Sequence, residues 1–391
     1  DAAAQSAPAG PEVRAVVLVV DGLRPDEIGP LMPRLSAFRA SSTAYEASRS
    51  VMIAETIPNH VAMMTGVYPD RSGIPANDYW DRDGEPESQD LELPAELEAP
   101  TLFTTLAAAC PDVTTAAALS KRYLFNIFGT GGSNVAPDLN WRPEPLIADD
   151  VAPGVFVRQA AVDQLDAGAD VQFVNVGDAD RIGHFDPSGS VAELSAARRA
   201  ALAETDAVVG ALLDRLRADE RWSSTVVFVV SDHGFDWSPP ANVVNVQRAL
   251  DANPATAGRF FTATAGGVAP VYLLEPGSAD AAAALAAARA VALALPGVDE
   301  AWFTAPNAVD PAGVAPADVG LDHPNAGDLV VLPDPGWRTS SPDDTSNPLP
   351  GNHGHFATRR NTFLVGGGAP WLAAPRSVPP SQADPGNRMA L

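Results

Sequence analysis

The sequence predicts an α/β fold: a doubly wound, mostly parallel central sheet flanked by helices, with a smaller α/β insertion before the last of its candidate ligand motifs. Three observations predict it. Val13 to Val20, Val171 to Val176 and Val226 to Val230 are near-continuous apolar runs, the pattern of strands buried on both faces. Each run leads into an aspartate, at Asp21, Asp180 and Asp232, and open α/β sheets bind ligands at the carboxyl ends of their strands. Between the runs lie segments whose apolar residues recur every three or four positions, which argues for helices alternating with strands.

Taken in order, residues 1–12 are an Ala/Ser/Pro/Gly-rich tract, expected as a flexible leader. A chain opening on Asp1 fits the mature end of an exported protein. Helices are expected over Met32 to Ala40, Pro100 to Ala109, Pro153 to Ala167 and Val191 to Arg217. The last is read with Glu193, Arg198, Arg199, Glu204, Asp206 and Asp214 to Arg217 on a solvated face. After Phe235 the texture changes, and 236–350 reads as the insertion. Strands are expected there at Arg259 to Ala265, Val268 to Leu274 and Asp328 to Leu332, around an Ala-rich helix from Ala279 to Leu295. The chain returns to the core at Gly351 to His355 and the strand Thr362 to Val365. The core is thus 13–235 with 351–376, and 377–391 is a Pro-rich tail expected to be loosely held.

Composition narrows the function. A formal charge of −24 argues against docking on nucleic acid or an anionic membrane, while leaving open a small anionic substrate where bound metal inverts the local sign. Cys110 is the single cysteine, which excludes an intrachain disulfide and a cysteine-based zinc knuckle, and no apolar run is long enough to span a membrane.

The chemistry centres on Glu55-Thr56-Ile57-Pro58-Asn59-His60. Thr56 is expected as the N-cap of a short helix that Gly66 stops, so its hydroxyl faces the positive end of the helix dipole. Alone, that is most simply a structural cap. Asp21, Asp180, His184, Asp232, His233 and His353, all expected at strand ends, make a donor set suited to zinc, though each singly also fits a turn.

The motifs VVLVVDGLRPD, ETIPNHVAMMTGVYPDRSGI, DRIGHFDP, VSDHGF and GNHGH stand in the order and spacing of the alkaline phosphatase superfamily. They look most like its nucleotide pyrophosphatase/phosphodiesterase branch, over roughly residues 13–375. The resemblance implies one zinc, or manganese or another divalent ion, on Asp21, Asp232, His233 and Thr56, and a second on Asp180, His184 and His353. It makes Thr56 the nucleophile and Asn77 a donor to the phosphoryl oxygens, with Ser72 standing where relatives usually have His. Two such ions can clamp the entering and leaving oxygens of an in-line displacement. With the Thr56 alkoxide, three aspartates balance two divalent ions, so a diester monoanion can be taken without a guanidinium. No motif supplies the arginine that monoester phosphatases of the superfamily use, and Cys110 lies outside the place of a sulfatase nucleophile.

The implied reaction is hydrolysis of phosphodiester or phosphoric anhydride bonds in small nucleotide-like molecules through a phosphothreonyl ester. A phosphonate or phosphomonoester hydrolase is the alternative within the superfamily, and a catalytically idle metal-binding exported protein the alternative outside it. Ser120 to Gly129 faintly resembles the lysine segment of phosphonoacetate hydrolases. Lys121, the one lysine, is read as a solvated charge or a general anion contact. Tyr79 and Trp80 are read as stacking on a base or aryl group, or as core. His60 is expected beneath the site, His355 behind His353, and His323 in a surface turn.

Overall fold

The computed structural model describes residues 13–147, 150–263, 266–304, 319–342, 344–346, 349–372 and 375–378. The leader and residues 379–391 lie outside the described residues. Eight strands form the main sheet: Arg14–Val20 (β1), Thr43–Tyr45 (β2), Thr115–Leu119 (β3), Leu139–Trp141 (β4), Val171–Val176 (β5), Thr225–Val230 (β6), Phe363–Gly367 (β7) and Arg376–Val378 (β8). Their order is β8-β2-β7-β6-β1-β5-β3-β4. Every neighbouring pair is parallel except the two made by β7, which runs antiparallel to β6 and to β2. The central position of β1 follows from its sequence: Val16 to Val20 are at most 2% exposed, each worth roughly 1.5–3 kcal/mol of apolar burial.

Apolar side chains cover both faces of the sheet. On one, β1, β5 and β6 pack beneath helices Pro33–Ala40, Gly154–Asp166 and Ala196–Arg217. On the other, Val17, Val19 and Phe173 meet helices Thr56–Thr65, Leu102–Ala109 and Arg122–Gly129. The insertion carries its own four-stranded antiparallel sheet, ordered Phe260–Thr262, Ala269–Leu273, Leu329–Pro333, Val298–Phe303. Helices Val246–Ala252 and Ala281–Leu293 pack on its apolar core. Asp236–Trp237 pairs with Gly351–Asn352 and so ties the insertion's entry to its exit.

Three expectations are corrected. Ser377 and Val378 are not loose tail: with Arg376 they pair in register with Thr43 to Tyr45 and form the sheet edge. The helix expected from Val191 begins at Ala196, because Ser195 caps it by accepting from the Arg198 N–H. Its residues Arg198 and Asp206 are not on a wet face. Asp206 accepts from the N–H groups of Arg34 and Leu35 at the start of helix Pro33–Ala40, and Arg198 is fully buried.

Candidate metal centre and nucleophile

Because β6, β1 and β5 are adjacent and parallel, their carboxyl ends bring three aspartates together. Asp21 follows β1, Asp232 follows β6, and Asp180 lies in the first turn of helix Asp178–Phe185, directly after β5. That helix sets His184 one turn beyond Asp180. Gly22 permits the convergence: at φ +65 it adopts a left-handed turn, and a Cβ there would come 3.1 Å from the Asp180 side chain. Its N–H also donates to Asp232 Oδ1 at 3.1 Å.

Three overlapping ligand groups emerge among the described residues. Asp180, His184 and His353 offer donor atoms within 4.8 Å of one another, and beside them Asp21 clusters with His233 and Asp180, and with Asp232 and His60. The histidine geometry tests whether a metal fits. His184 Nδ1 lies 2.9 Å from the Gly351 carbonyl oxygen, His353 Nδ1 3.1 Å from that of Ala54, and His233 Nδ1 2.9 Å from that of Gly234. Carbonyls only accept, so each Nδ1 carries the proton and each Nε2 presents a lone pair. The Nε2 atoms of His184 and His353 are 3.1 Å apart. Two lone pairs facing each other repel unless a cation lies between or beside them. Burial holds the imidazoles of His233 and His353 below the ordinary histidine range, keeping them neutral donors. Asp21 Oδ1 and Asp180 Oδ1 are likewise buried without a hydrogen-bond donor among the described residues. The donor set fits divalent metal.

Thr56 is 1% exposed and lies beside His233. It is the first residue of helix Thr56–Thr65, not its cap: Glu55 holds the N-cap position, and the expected capping bond from the Thr56 hydroxyl is not made. Asn77 supplies the cap instead, its Oδ1 accepting from the Ile57 N–H at 2.9 Å. This spends one of the helix's free N–H groups, and it leaves the Asn77 side chain only its NH₂ to offer. The Glu55 carboxylate accepts from the Asn77 N–H at 2.8 Å, and burial raises its pKa well above the usual carboxylate value. Gly66 ends the helix at φ 71, as expected.

The Thr56 hydroxyl is freed from capping for other partners. Its Oγ1 accepts from Lys121 Nζ at 3.0 Å and lies 3.4 Å from His233 Nε2. Lys121 is therefore not a solvated charge. It is 3% exposed, and its ammonium bridges Asp21 Oδ2 and Asp180 Oδ2, each at 2.9 Å. Burial alone would lower its pKa, but Asp180 and Asp21 outweigh that and hold it well above the lysine norm.

Behind these groups lies a shell in which sequence reasoning placed His60 but missed Asn175 and Arg198. His60 Nδ1 donates to the Thr56 carbonyl oxygen at 2.8 Å, and its Nε2 accepts from Asn175 Nδ2 at 3.0 Å. The same amide donates to Asp21 Oδ2 at 3.0 Å. Burial brings His60 down to about 4, so it is a neutral strut. Arg198 donates to both Glu27 oxygens, to the Gly22 carbonyl at 2.8 Å and to the Ala179 carbonyl, one residue from Asp21 and from Asp180. The polar Asn175 inside an apolar strand run was a signal available in the sequence; Arg198, spaced like a surface residue, gave none.

Tyr79 and Trp80 fall out of the site. Tyr79 belongs to the core, 9% exposed, with its hydroxyl 3.5 Å from Glu96. Trp80 packs edge-on against Phe261 and Tyr272. Neither lines the cavity above the ligands, which measures about 200 Å³ and is bounded in part by Asn77, His184, His353, Asn352 and Arg338. His355 pairs with Asp236 at 3.2 Å, behind His353. His323 precedes a surface 3-10 turn and contacts Glu98.

A parallel sheet whose strand ends gather Asp and His around a buried hydroxyl is the architecture of the alkaline phosphatase superfamily. Within it, a family model described as type I phosphodiesterase / nucleotide pyrophosphatase matches residues 15–356, and the chain belongs to that family. The structure of murine ectonucleotide pyrophosphatase / phosphodiesterase 5 superposes with a TM-score of 0.74 at 18% identity, covering 96% of this chain and 92% of that one. Phosphonoacetate hydrolase from Sinorhizobium meliloti 1021, solved with phosphonoacetate, superposes with a TM-score of 0.66 at 20% identity, covering 94% and 91%. At these identities the likeness is one of fold. Bis(5'-adenosyl)-triphosphatase enpp4 of Xenopus laevis is 35% identical over 71 residues, a stretch that spans 18% of this chain and 16% of the frog protein. No helix among the described residues is long and apolar enough to cross a membrane.

Proposed function

We propose that the chain hydrolyses phosphodiester or phosphoric anhydride bonds of small, nucleotide-like molecules, with Thr56 as nucleophile and two zinc ions as cofactors. The observation that carries this reading is the Thr56 hydroxyl, released from its helix and held by Lys121 Nζ and His233 Nε2 between two groups of Asp and His donors. Asp21, Asp232, His233 and Thr56 would hold one ion, and Asp180, His184 and His353 the other. Bound there, the ions supply Lewis-acid stabilisation of the entering and leaving oxygens.

The chain's own residues do the rest. Thr56 Oγ1 attacks phosphorus as the P–O bond to the leaving group breaks, giving a phosphothreonyl ester that water then hydrolyses. Lys121 donates to Oγ1 and favours its deprotonated form. The Asn77 NH₂ donates to a non-bridging oxygen, as an oxyanion donor does. In this reading 13–235 with 351–376 is the catalytic core and 236–350 a cap over the cavity. The molecule acts outside the cell, as the names of its ectonucleotide relatives suggest.

Lys121 also favours a second reading, cleavage of a phosphonate or monoester, because a buried ammonium beside the nucleophile suits a more highly charged substrate. The test compares kcat/KM for bis-p-nitrophenyl phosphate, p-nitrophenyl phosphate and phosphonoacetate, with zinc and with chelator. A chelator-sensitive preference for the diester supports the first reading. A preference for either of the others moves the assignment to the second.

A further inference from the structure

The insertion delivers one more functional group to the cavity. Arg338 lies in the short strand Arg338–Thr339, more than a hundred residues from the nearest motif aspartate, yet its side chain bounds the same cavity as His184 and His353. Two contacts fix it. Its backbone N–H donates to the Asn242 carbonyl, and its Nη1 donates to the Leu349 carbonyl oxygen at 2.9 Å. Its Nε is buried with no hydrogen-bond partner among the described residues, and the Asp344 carboxylate acts on the guanidinium through space. Space in front of it is kept by Gly266, where a Cβ would come 3.7 Å from Cζ and Nη2 of Arg338 and 2.9 Å from Asn352 Oδ1. A guanidinium is a planar fork matched to carboxylate or phosphate oxygens, and leaving one half-buried and unpaired beside an active site is costly unless an anion completes it.

We infer that Arg338 is a specificity-determining residue that binds a second anionic group, carried by the leaving group of the substrate. The substrate class is thus phosphoryl compounds whose leaving group has its own carboxylate or phosphate. The side of the cavity follows from His184 and His353. They belong to the proposed ion site that does not include Thr56, which puts them on the side of the departing oxygen, so Arg338 meets what departs and not what stays on Thr56. This rests on the proposed reaction.

The experiment uses a matched pair of aryl methyl phosphates whose leaving group carries a carboxylate or, in the neutral partner, a carboxamide. Wild type is expected to prefer the carboxylate by ~10- to 100-fold in kcat/KM, mostly through KM, the range for one charged hydrogen-bonded contact. Arg338→Gln removes the preference while keeping activity on the carboxamide, which doubles as the control for folding, and Arg338→Lys restores part of it. A nucleoside triphosphate as third substrate separates phosphate from carboxylate recognition. Calorimetry on Thr56→Ala, with and without Arg338→Gln, reads the same preference in binding alone. If wild type turns over neither ester but the binding preference persists and needs Arg338, the reaction falls and the anion site stands. Equal losses on both esters, or a preference untouched by Arg338→Gln in turnover and in binding, overturns the inference.

Discussion

Replacing Arg198 by methionine should break the frame that holds two ligand loops. The Arg198 and Glu27 side chains are 0% and 2% exposed and joined by paired bonds of 3.0 and 2.8 Å. Removing one partner of a buried ion pair leaves the other charge uncompensated, at a cost of roughly 3–5 kcal/mol. Arg198→Met should therefore lower stability by about that much, read by urea unfolding of chelator-treated protein so that bound metal adds nothing. The double variant Arg198→Met/Glu27→Gln neutralises the stranded charge and keeps an acceptor for the Arg24 N–H, which Glu27 Oε2 now takes at 2.9 Å. It should recover most of the loss. Metal affinity should not recover, because neither variant restores the bonds to the Gly22 and Ala179 carbonyls that set Asp21 and Asp180. Losing such outer support typically costs 10- to 100-fold in affinity, to be measured by competition with a chromogenic chelator. A single variant within ~1 kcal/mol of wild type, or a double variant no more stable than the single, would refute the electrostatic argument. Full metal affinity in either would refute the positioning role.

Thr56→Ala should reduce turnover by ~10³-fold or more while leaving bound metal, read by atomic absorption, near the wild-type amount; retained turnover would exclude the covalent route. Asn77→Ala should slow the reaction by ~10²-fold and loosen the start of the Thr56 helix by about 1 kcal/mol. Asn77→Asp keeps the acceptor for Ile57, so it should recover the stability and not the rate, and recovery of both would assign Asn77 to structure alone. Burial, with Asp90 opposite, pushes Asp78 up to about 8, far above the ordinary carboxylate range. A raised pKa makes its contribution to stability full below pH ~4 and lost as pH rises through ~8. The fall in melting temperature between those limits should be smaller in Asp78→Asn, and an identical fall would remove Asp78 as its source.

The sheet centre and the donor set were legible for the same reason. A strand buried on both faces must be written almost wholly in apolar residues, so β1, β5 and β6 announce themselves, and an aspartate ending each run marks one edge of the sheet. β3 was passed over because Thr-Ala-Ala-Ala-Leu has neither β-branched bulk nor alternation; its strand state comes from its pairing with β5 and β4. The strand Val298–Phe303 was missed because Asp299 and Glu300 break its apolar pattern on the solvent side. Charged residues were misread wherever their partners are distant in the chain. Arg198, Asp206 and Lys121 look like surface residues until Glu27, the start of helix Pro33–Ala40 and the site aspartates are folded against them. The one-residue shift at Thr56 has a specific cause: the acceptor that caps the helix comes from Asn77, twenty residues beyond the Ile57 N–H it takes, which leaves the threonine hydroxyl out of the cap.

Lys121 and Arg338 together change the charge argument drawn from the motifs. With two divalent ions and a Thr56 alkoxide, three aspartates alone bring the site to neutrality, which attracts a diester no more than it attracts its product alcohol. The Lys121 ammonium, 2.9 Å from Asp21 and from Asp180, adds one positive charge to that sum. A single phosphoryl monoanion cancels it. Arg338 is then surplus to the transferred group: it touches neither Thr56 nor an aspartate of the site, and its Nε has no acceptor among the described residues. A neutral leaving group would strand that charge in a partly desolvated cavity for the life of the complex. An anionic one completes it, and the same contact raises the affinity for substrate through its leaving group, the one part that the ester bond on Thr56 does not retain. After the P–O bond breaks, the departing group has lost its covalent link, and Arg338 still holds its anion. The insertion's arginine thus separates recognition of what leaves from activation of what stays, a division that the core motifs do not make by themselves.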